Sequence, residues 1–243
     1  MIKQSYDYTV DTSMLDARSI ITLEGYQRIV ITTTEKELER LNMSIETLIK
    51  EMGVSWILLS LSVKVLKQIK PNQKLSVTTW HTWQKGVIYR RDFEISDKSS
   101  GEIYAYACTF SSLFDIQKRR LCMDRAVYQK LTLEEGEESF EAQSRYNPTG
   151  DFTYCEETVV RPHWIDCLGH VNNFKYGQLT FDNLTESDRE NSHEINKIEM
   201  FFTGELRLGE SVKISRRKEE KVVEIMGEHS ENGRSAFLTR IHY

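Results

Sequence analysis

Prolines number only 3 and glycines 12 in a chain of 243 residues, which leaves little sequence for long flexible linkers. No apolar run approaches the ~20 residues of a bilayer-spanning helix, and no basic segment followed by an apolar one opens the chain. A membrane span and a secretory leader are therefore not expected, and the reading is cytoplasmic. The 4 cysteines, Cys108, Cys122, Cys155 and Cys167, lack C-x-x-C or Cys/His spacing. Buried free thiols are expected in place of a disulfide framework or a metal site. A basic excess is missing too: 32 Lys and Arg face 37 Asp and Glu, a net charge of -5, which argues against a nucleic-acid partner. What remains is a chain 28% charged and 39% hydrophobic, long enough for one large domain or two small ones with a full core.

The order of patterns is helix first, then strands. Tyr6, Tyr8 and Val10 alternate as in a strand. From Thr22 to Leu41 apolar residues recur at three- and four-residue steps, predicting a half-buried helix. Ser44 caps a second, short helix that ends near Gly53. A run of strand-like segments follows from Trp56 to Asp115, the antiparallel α+β order and not the alternation of a parallel sheet. Residues 134–141 are acidic and poor in apolar side chains, and read as a solvated connector with a domain boundary near 145. Beyond it the strand and helix pattern restarts.

One stretch concentrates reactive groups: Asp166-Cys167-Leu168-Gly169-His170-Val171-Asn172-Asn173-Phe174-Lys175-Tyr176. Gly169 permits a backbone conformation that a Cβ resists, and Asn172 or Asn173 can cap a helix continued by Tyr176, Leu179, Phe181 and Leu184. His170 then sits beside unpaired helix N–H groups suited to a carbonyl oxygen that gains negative charge. The same letters also describe an ordinary Asx turn carrying a surface histidine.

The run Asp166-x-x-Gly169-His170-Val171-Asn172-Asn173-x-x-Tyr176 resembles the signature of hot-dog thioesterases. Trp56, Thr79-Trp80, Arg91-Asp92-Phe93 and Glu205-x-x-x-Gly209 extend the resemblance to the acyl-ACP thioesterases over essentially the whole chain. It implies tandem (double) hot-dog domains, each an antiparallel sheet wrapped around a central helix. The expected halves are 1–145, shaping the substrate pocket, and 146–243, carrying catalysis. Internal similarity agrees with a duplication: a shift of 150 residues (166 − 16) lays Asp16 on Asp166 and Tyr26 on Tyr176. A shift of 137 (212 − 75) lays Leu75 on Val212 and Gln68 on Glu205. Ile20 then stands where His170 stands, Thr22 and Leu23 where Asn172 and Asn173 stand, so only the second half keeps the reactive set.

The implied reaction is hydrolysis of a fatty acyl thioester on acyl carrier protein, releasing the free fatty acid of fatty acid biosynthesis, with no cofactor and no metal. Glu205 is the candidate base or nucleophile and His170 the acid/base or carbonyl polariser. Asp166 orients the loop or fixes the imidazole tautomer; Asn172 and Asn173 bind the oxygen. Tyr26, Ile29, Trp56, Leu58 and Tyr176 are the candidate acyl-pocket residues, each equally a plain core residue. Two departures from the family pattern stand out: Leu168 occupies the position, two before the histidine, where an asparagine is usual, and Leu206 that of a cysteine in plant members. Acyl carrier protein is the implied partner, and Lys118, Arg119 and Arg120, or Arg216, Arg217 and Lys218, are candidate docking cations for its acidic surface. A homodimer is compatible with this reading. The alternatives are an acyl-CoA thioesterase and a non-catalytic acyl-binding module.

Overall fold

Caps set the helix limits. In the computed structural model, which describes residues 2–243, the Thr22 hydroxyl accepts from the Gly25 N–H and opens α1 (Leu23–Arg40). Ser44 does the same for α2 (Ile45–Met52), which ends on Gly53 with a left-handed backbone. Asn172 caps α4 (Asn173–Asp182). Two short helices, α3 (Arg125–Lys130) and α5 (Glu186–Glu190), escape the sequence reading because neither is long enough to show a helical period.

The strands are β1 (Gln4–Thr9), β2 (Val54–Val65), β3 (Lys74–Lys85), β4 (Ile88–Asp97), β5 (Ile103–Asp115), β6 (Arg120–Leu121), β7 (Thr153–Val159), β8 (Lys197–Phe202), β9 (Ser211–Glu219), β10 (Val222–His229) and β11 (Ser235–His242). They form one 11-stranded sheet in the order β1-β3-β4-β5-β2-β8-β11-β10-β9-β7, with β6 on β5. The two segments read around Trp56 and Leu61 are a single strand, β2, whose register shifts between Leu58 and Ser60. Order within the first half, β1-β3-β4-β5-β2, repeats in the second as β7-β9-β10-β11-β8, and the halves join through the antiparallel pair β2 and β8. This is the α+β double hot-dog fold.

Hydrogen bonds reproduce the duplication in detail. Asp16 N–H donates to the Ile20 carbonyl at 2.8 Å, and Asp166 N–H to the His170 carbonyl at 2.9 Å. Val10 N–H donates to the Gln73 carbonyl at 3.0 Å, and Val160 N–H to the Glu210 carbonyl at 2.9 Å. One apolar core runs through both halves, from Ile29, Leu61 and Phe93 to Met200, Ile225 and Phe237. Each such side chain contributes about 1.5–3 kcal/mol relative to its exposed state. A smaller cluster, including Leu48, Tyr89, Leu113 and Tyr128, lies at the α2 and α3 end of the first half.

The connector corrects the sequence reading. Residues 131–152 are not a free solvated tether but a strap pinned to the sheet. Trp80 Nε1 donates to the Glu137 carbonyl and Trp83 Nε1 to the Glu138 carboxylate, both at 2.8 Å. Asp92 accepts from the Ser139 N–H, Ser60 donates to the Gln143 carbonyl, and Tyr146 stacks on Phe201 and under Arg240. The strap covers buried polar groups of the sheet's outer face, the fully buried Arg90–Asp92 pair among them. Composition conceals this because the contacts are made by backbone carbonyls and a few side chains, while most acidic groups still face water. The thiol expectation holds for Cys108 and Cys122, whereas Cys155, on edge strand β7, and Cys167, at a turn, are exposed.

Candidate active site

The loop before α4 is built by Asp166. Its Oδ1 accepts the Leu168 N–H at 2.8 Å and, at 3.4 Å, the His170 N–H, while Gly169 takes φ +83 to close the turn. Asp166 thus orients the backbone, and the imidazole meets a different acid. Val171 N–H donates to the Leu206 carbonyl at 2.9 Å, and that bond fastens the loop to the segment leaving β8. The residues next to it, His170 and Glu205, are brought together: His170 Nε2 lies 3.0 Å from Glu205 Oε2, with side chains 25% and 38% exposed.

Arg119 and Arg207 each place a guanidinium nitrogen 3.7 Å from the same Glu205 oxygen. The sequence reading takes Arg119 only as a docking cation and gives Arg207 no role; Arg207 is two residues from the glutamate, whereas Arg119 reaches it only through the fold. Asn172 Oδ1 accepts the Phe174 N–H at 3.0 Å, which turns its amide group toward the cap and leaves Asn173 at the first helical position, where N–H groups lack intrahelical acceptors. Leu168 lies on the cavity wall, so the usual carboxamide is replaced there by an apolar side chain. Leu206 is fully buried and acts through its carbonyl.

A cavity of about 860 Å³ runs from these groups into the first half. Trp56, Leu58 and Tyr176 line it, as do Ile31, Leu38 and Phe114. Trp56 is held by a hydrogen bond from its Nε1 to the Met43 carbonyl at 2.9 Å, and Tyr176 by rings of Phe237 and Phe202. Tyr26 and Ile29 are not on the wall: they are buried in the common core, because the face of α1 they occupy packs on the sheet while Ile31, Thr34 and Leu38 face the cavity. The counterparts of the reactive pair in the first half, Ile20 and Gln68, hold no acid or imidazole; Gln68 Nε2 donates to the His193 carbonyl at 3.1 Å.

Of the two docking candidates, Lys118, Arg119 and Arg120 are exposed beside the cavity's Arg119 end, with Lys118 paired to Asp115. The other is consumed internally: Arg216 and Lys218 bind Asp188 at 2.6 and 3.0 Å, and Arg217 binds Glu224 at 2.6 Å. Among the described residues no cluster of His, Cys, Asp and Glu has a metal-binding arrangement, and no helix is long and apolar enough to cross a membrane.

A double hot-dog frame that holds an imidazole–carboxylate pair beside a cavity is the setting in which the family comparison falls. The acyl-ACP thioesterase N-terminal domain matches residues 2–128 and the acyl-ACP thioesterase C-terminal domain residues 151–241. The chain belongs to the acyl-ACP thioesterase family and hydrolyses the thioester of fatty acyl-ACP. The expected boundary at 145 falls in the strap between the two matched segments. Among solved structures, an acyl-ACP thioesterase from Bacteroides thetaiotaomicron superposes with TM-score 0.85 at 18% identity, covering 99% of this chain and 97% of that one. The 12:0-ACP thioesterase from Umbellularia californica gives TM-score 0.83 at 15% identity, covering 99% and 96%. At these identities the likeness is one of fold. No curated protein gives a significant sequence match.

Proposed function

We propose that the second half carries out hydrolysis with Glu205 and His170 while the first half supplies the acyl cavity. The observation that carries this is the 3.0 Å contact between His170 Nε2 and Glu205 Oε2 at the end of that cavity. Glu205 takes a proton from a water molecule whose oxygen attacks the thioester carbon. The carbonyl oxygen gains negative charge beside the N-terminus of α4, where the backbone N–H and the carboxamide of Asn173 are the donors. As the carbon–sulfur bond breaks, His170 Nε2–H protonates the departing pantetheine thiolate, and the proton held on Glu205 replaces it. Asp166 positions His170 through the loop backbone.

The exposed cations Arg119 and Arg120 are the docking surface this reading assigns to acyl carrier protein, whose acidic surface they complement. The test is thiol release over a series of acyl-ACP chain lengths with matched acyl-CoA controls. Slower turnover of acyl-ACP than of acyl-CoA at every length would overturn the carrier-protein assignment. A single turnover in ¹⁸O-water, with mass analysis for an acyl-Glu205 adduct, tests the role of Glu205: label in Glu205 or an adduct on it marks a nucleophile, and label in the fatty acid with no adduct supports the base.

A further inference from the structure

The cavity is not apolar along its length. Across the sheet from the reactive pair it is lined by Tyr89, Arg91, His81, Thr109 and Ser111, with Glu35 of α1 opposite. Arg91 lies on β4, three strands from the β8 strand that leads to Glu205, roughly 14 Å across the sheet at ordinary strand spacing. It is 7% exposed, and the one hydrogen bond of its guanidinium among the described residues is a long one to Thr79 Oγ1, 3.4 Å. Glu37, the acid that still stabilises its charge, is held instead by Tyr6 at 2.7 Å and by Arg40 at 2.8 Å. The Tyr89 hydroxyl is buried and has no hydrogen-bond partner among the described residues. His81 stands opposite Arg91 on β3, and burial, followed by the Arg91 charge, lowers its pKa to about 4, so its ring is neutral. Burial also lowers Arg91 to about 10, which leaves it a cation at neutral pH.

The duplication supplies the comparison. Ile88 pairs with Lys85 and Val222 with Glu219 across equivalent hairpins, so Tyr89 and Arg91 correspond to Val223 and Ile225. Both of those are fully buried core residues. The fold therefore accepts apolar side chains at these positions, and the polar ones that stand there in the first half line the acyl cavity. Buried donors without acceptors cost free energy, so the departure points to a ligand that supplies the acceptor.

We infer that the cavity is built for an acyl chain bearing an uncharged oxygen, hydroxyl or keto, remote from the thioester, received by Arg91, Tyr89 and His81. This rests on the thioesterase reading of the same cavity. Glu35, on the opposite wall, opposes an anionic tail such as a terminal carboxylate.

The test compares kcat/KM for acyl-ACPs of one chain length: saturated, carrying a hydroxyl or keto group at successive carbons toward the methyl end, and carrying a terminal carboxylate. The expected result is that at least one hydroxyl or keto isomer exceeds the saturated chain by about 10- to 100-fold, the size of a hydrogen bond to a charged donor. Arg91→Met and Tyr89→Phe should each bring that ratio toward one. Tyr89→Phe removes only an unpartnered hydroxyl, so it decides the question even if Arg91→Met fails to fold. Three results would overturn the proposal: a saturated chain preferred to every oxygenated isomer, a terminal carboxylate preferred to all, or a preference that survives in both variants. Hydrolysis of saturated chains alone leaves the thioesterase standing without this specificity, whereas hydrolysis of no acyl-ACP removes both.

Discussion

Gln27, buried in the first half, donates through Nε2 to the carbonyl of Asn173, the first residue of α4 in the second half, at 3.0 Å. Space for it comes from Gly177, where an added Cβ would lie 2.1 Å from Gln27 Oε1. The two central helices thus meet through a glutamine seated on a glycine, at positions related by the duplication. Gly177→Ala should destabilise the protein by about 1–3 kcal/mol through overpacking, measured by denaturant unfolding. Gln27→Ala in the same background should recover most of that loss; if it recovers none, the contact is not the cause.

His170→Ala and Glu205→Gln should each lower thiol release by about 10²–10⁴-fold with the fold retained, since both residues are partly exposed and neither is part of the core. The double variant should be little worse than either single one, because the pair acts as a unit. Near-normal turnover in both single variants, with circular dichroism unchanged, would remove the pair from the mechanism.

In the first half, Gln68→Ala should leave kcat for acyl-ACP within about twofold, the only loss being its hydrogen bond to the His193 carbonyl, on the order of 1 kcal/mol. A fall in kcat comparable with that of Glu205→Gln, at full folding, would show that chemistry is shared between the halves.

Charge reversal separates docking from chemistry. Lys118→Glu with Arg120→Glu should raise the KM for acyl-ACP and flatten its salt dependence, since exposed cations act through screened attraction. Arg119→Glu should lower kcat as well, because Arg119 also reaches within 3.7 Å of Glu205. Reversing Arg216 and Lys218 instead leaves the buried Asp188 facing like charge and should cost stability, about 3–5 kcal/mol for a broken buried pair. A KM effect confined to the Arg216 and Lys218 variant would relocate the docking surface.

Acid should loosen the seam between the halves. Burial raises the Glu199 pKa, but hydrogen bonds from His242 and Lys197 and the charges of Lys197 and Arg240 outweigh it and bring it down to about 2. A carboxylate whose folded pKa is depressed stabilises the protein above its unfolded pKa of ~4.3, and that stability is lost as pH falls toward the folded value. Unfolding free energy should therefore decline between about pH 4.5 and pH 2. In Glu199→Gln the decline over this window should be shallower and the starting stability lower; an unchanged slope would exclude Glu199 as a contributor.

Local chemistry was enough to read the start of α1 near Thr22, the cap at Ser44, the end of α2 at Gly53, the turn at Gly169 and the repetition of one half by the other, since each depends on neighbouring residues or on periods of two and 3.6. The family motif likewise marked His170 and Glu205. Only the sheet order decided what those residues face. It joins β2 to β8, brings Arg119 and Arg207 to Glu205, turns Tyr26 and Ile29 into the core, spends Arg216 and Lys218 on Asp188, and lays the acidic strap over Arg90 and Asp92. Apart from Arg207, two residues from Glu205, these partners lie far apart in the chain, and no periodicity encodes a distance across strands; the pairing of the two half-sheets sets it.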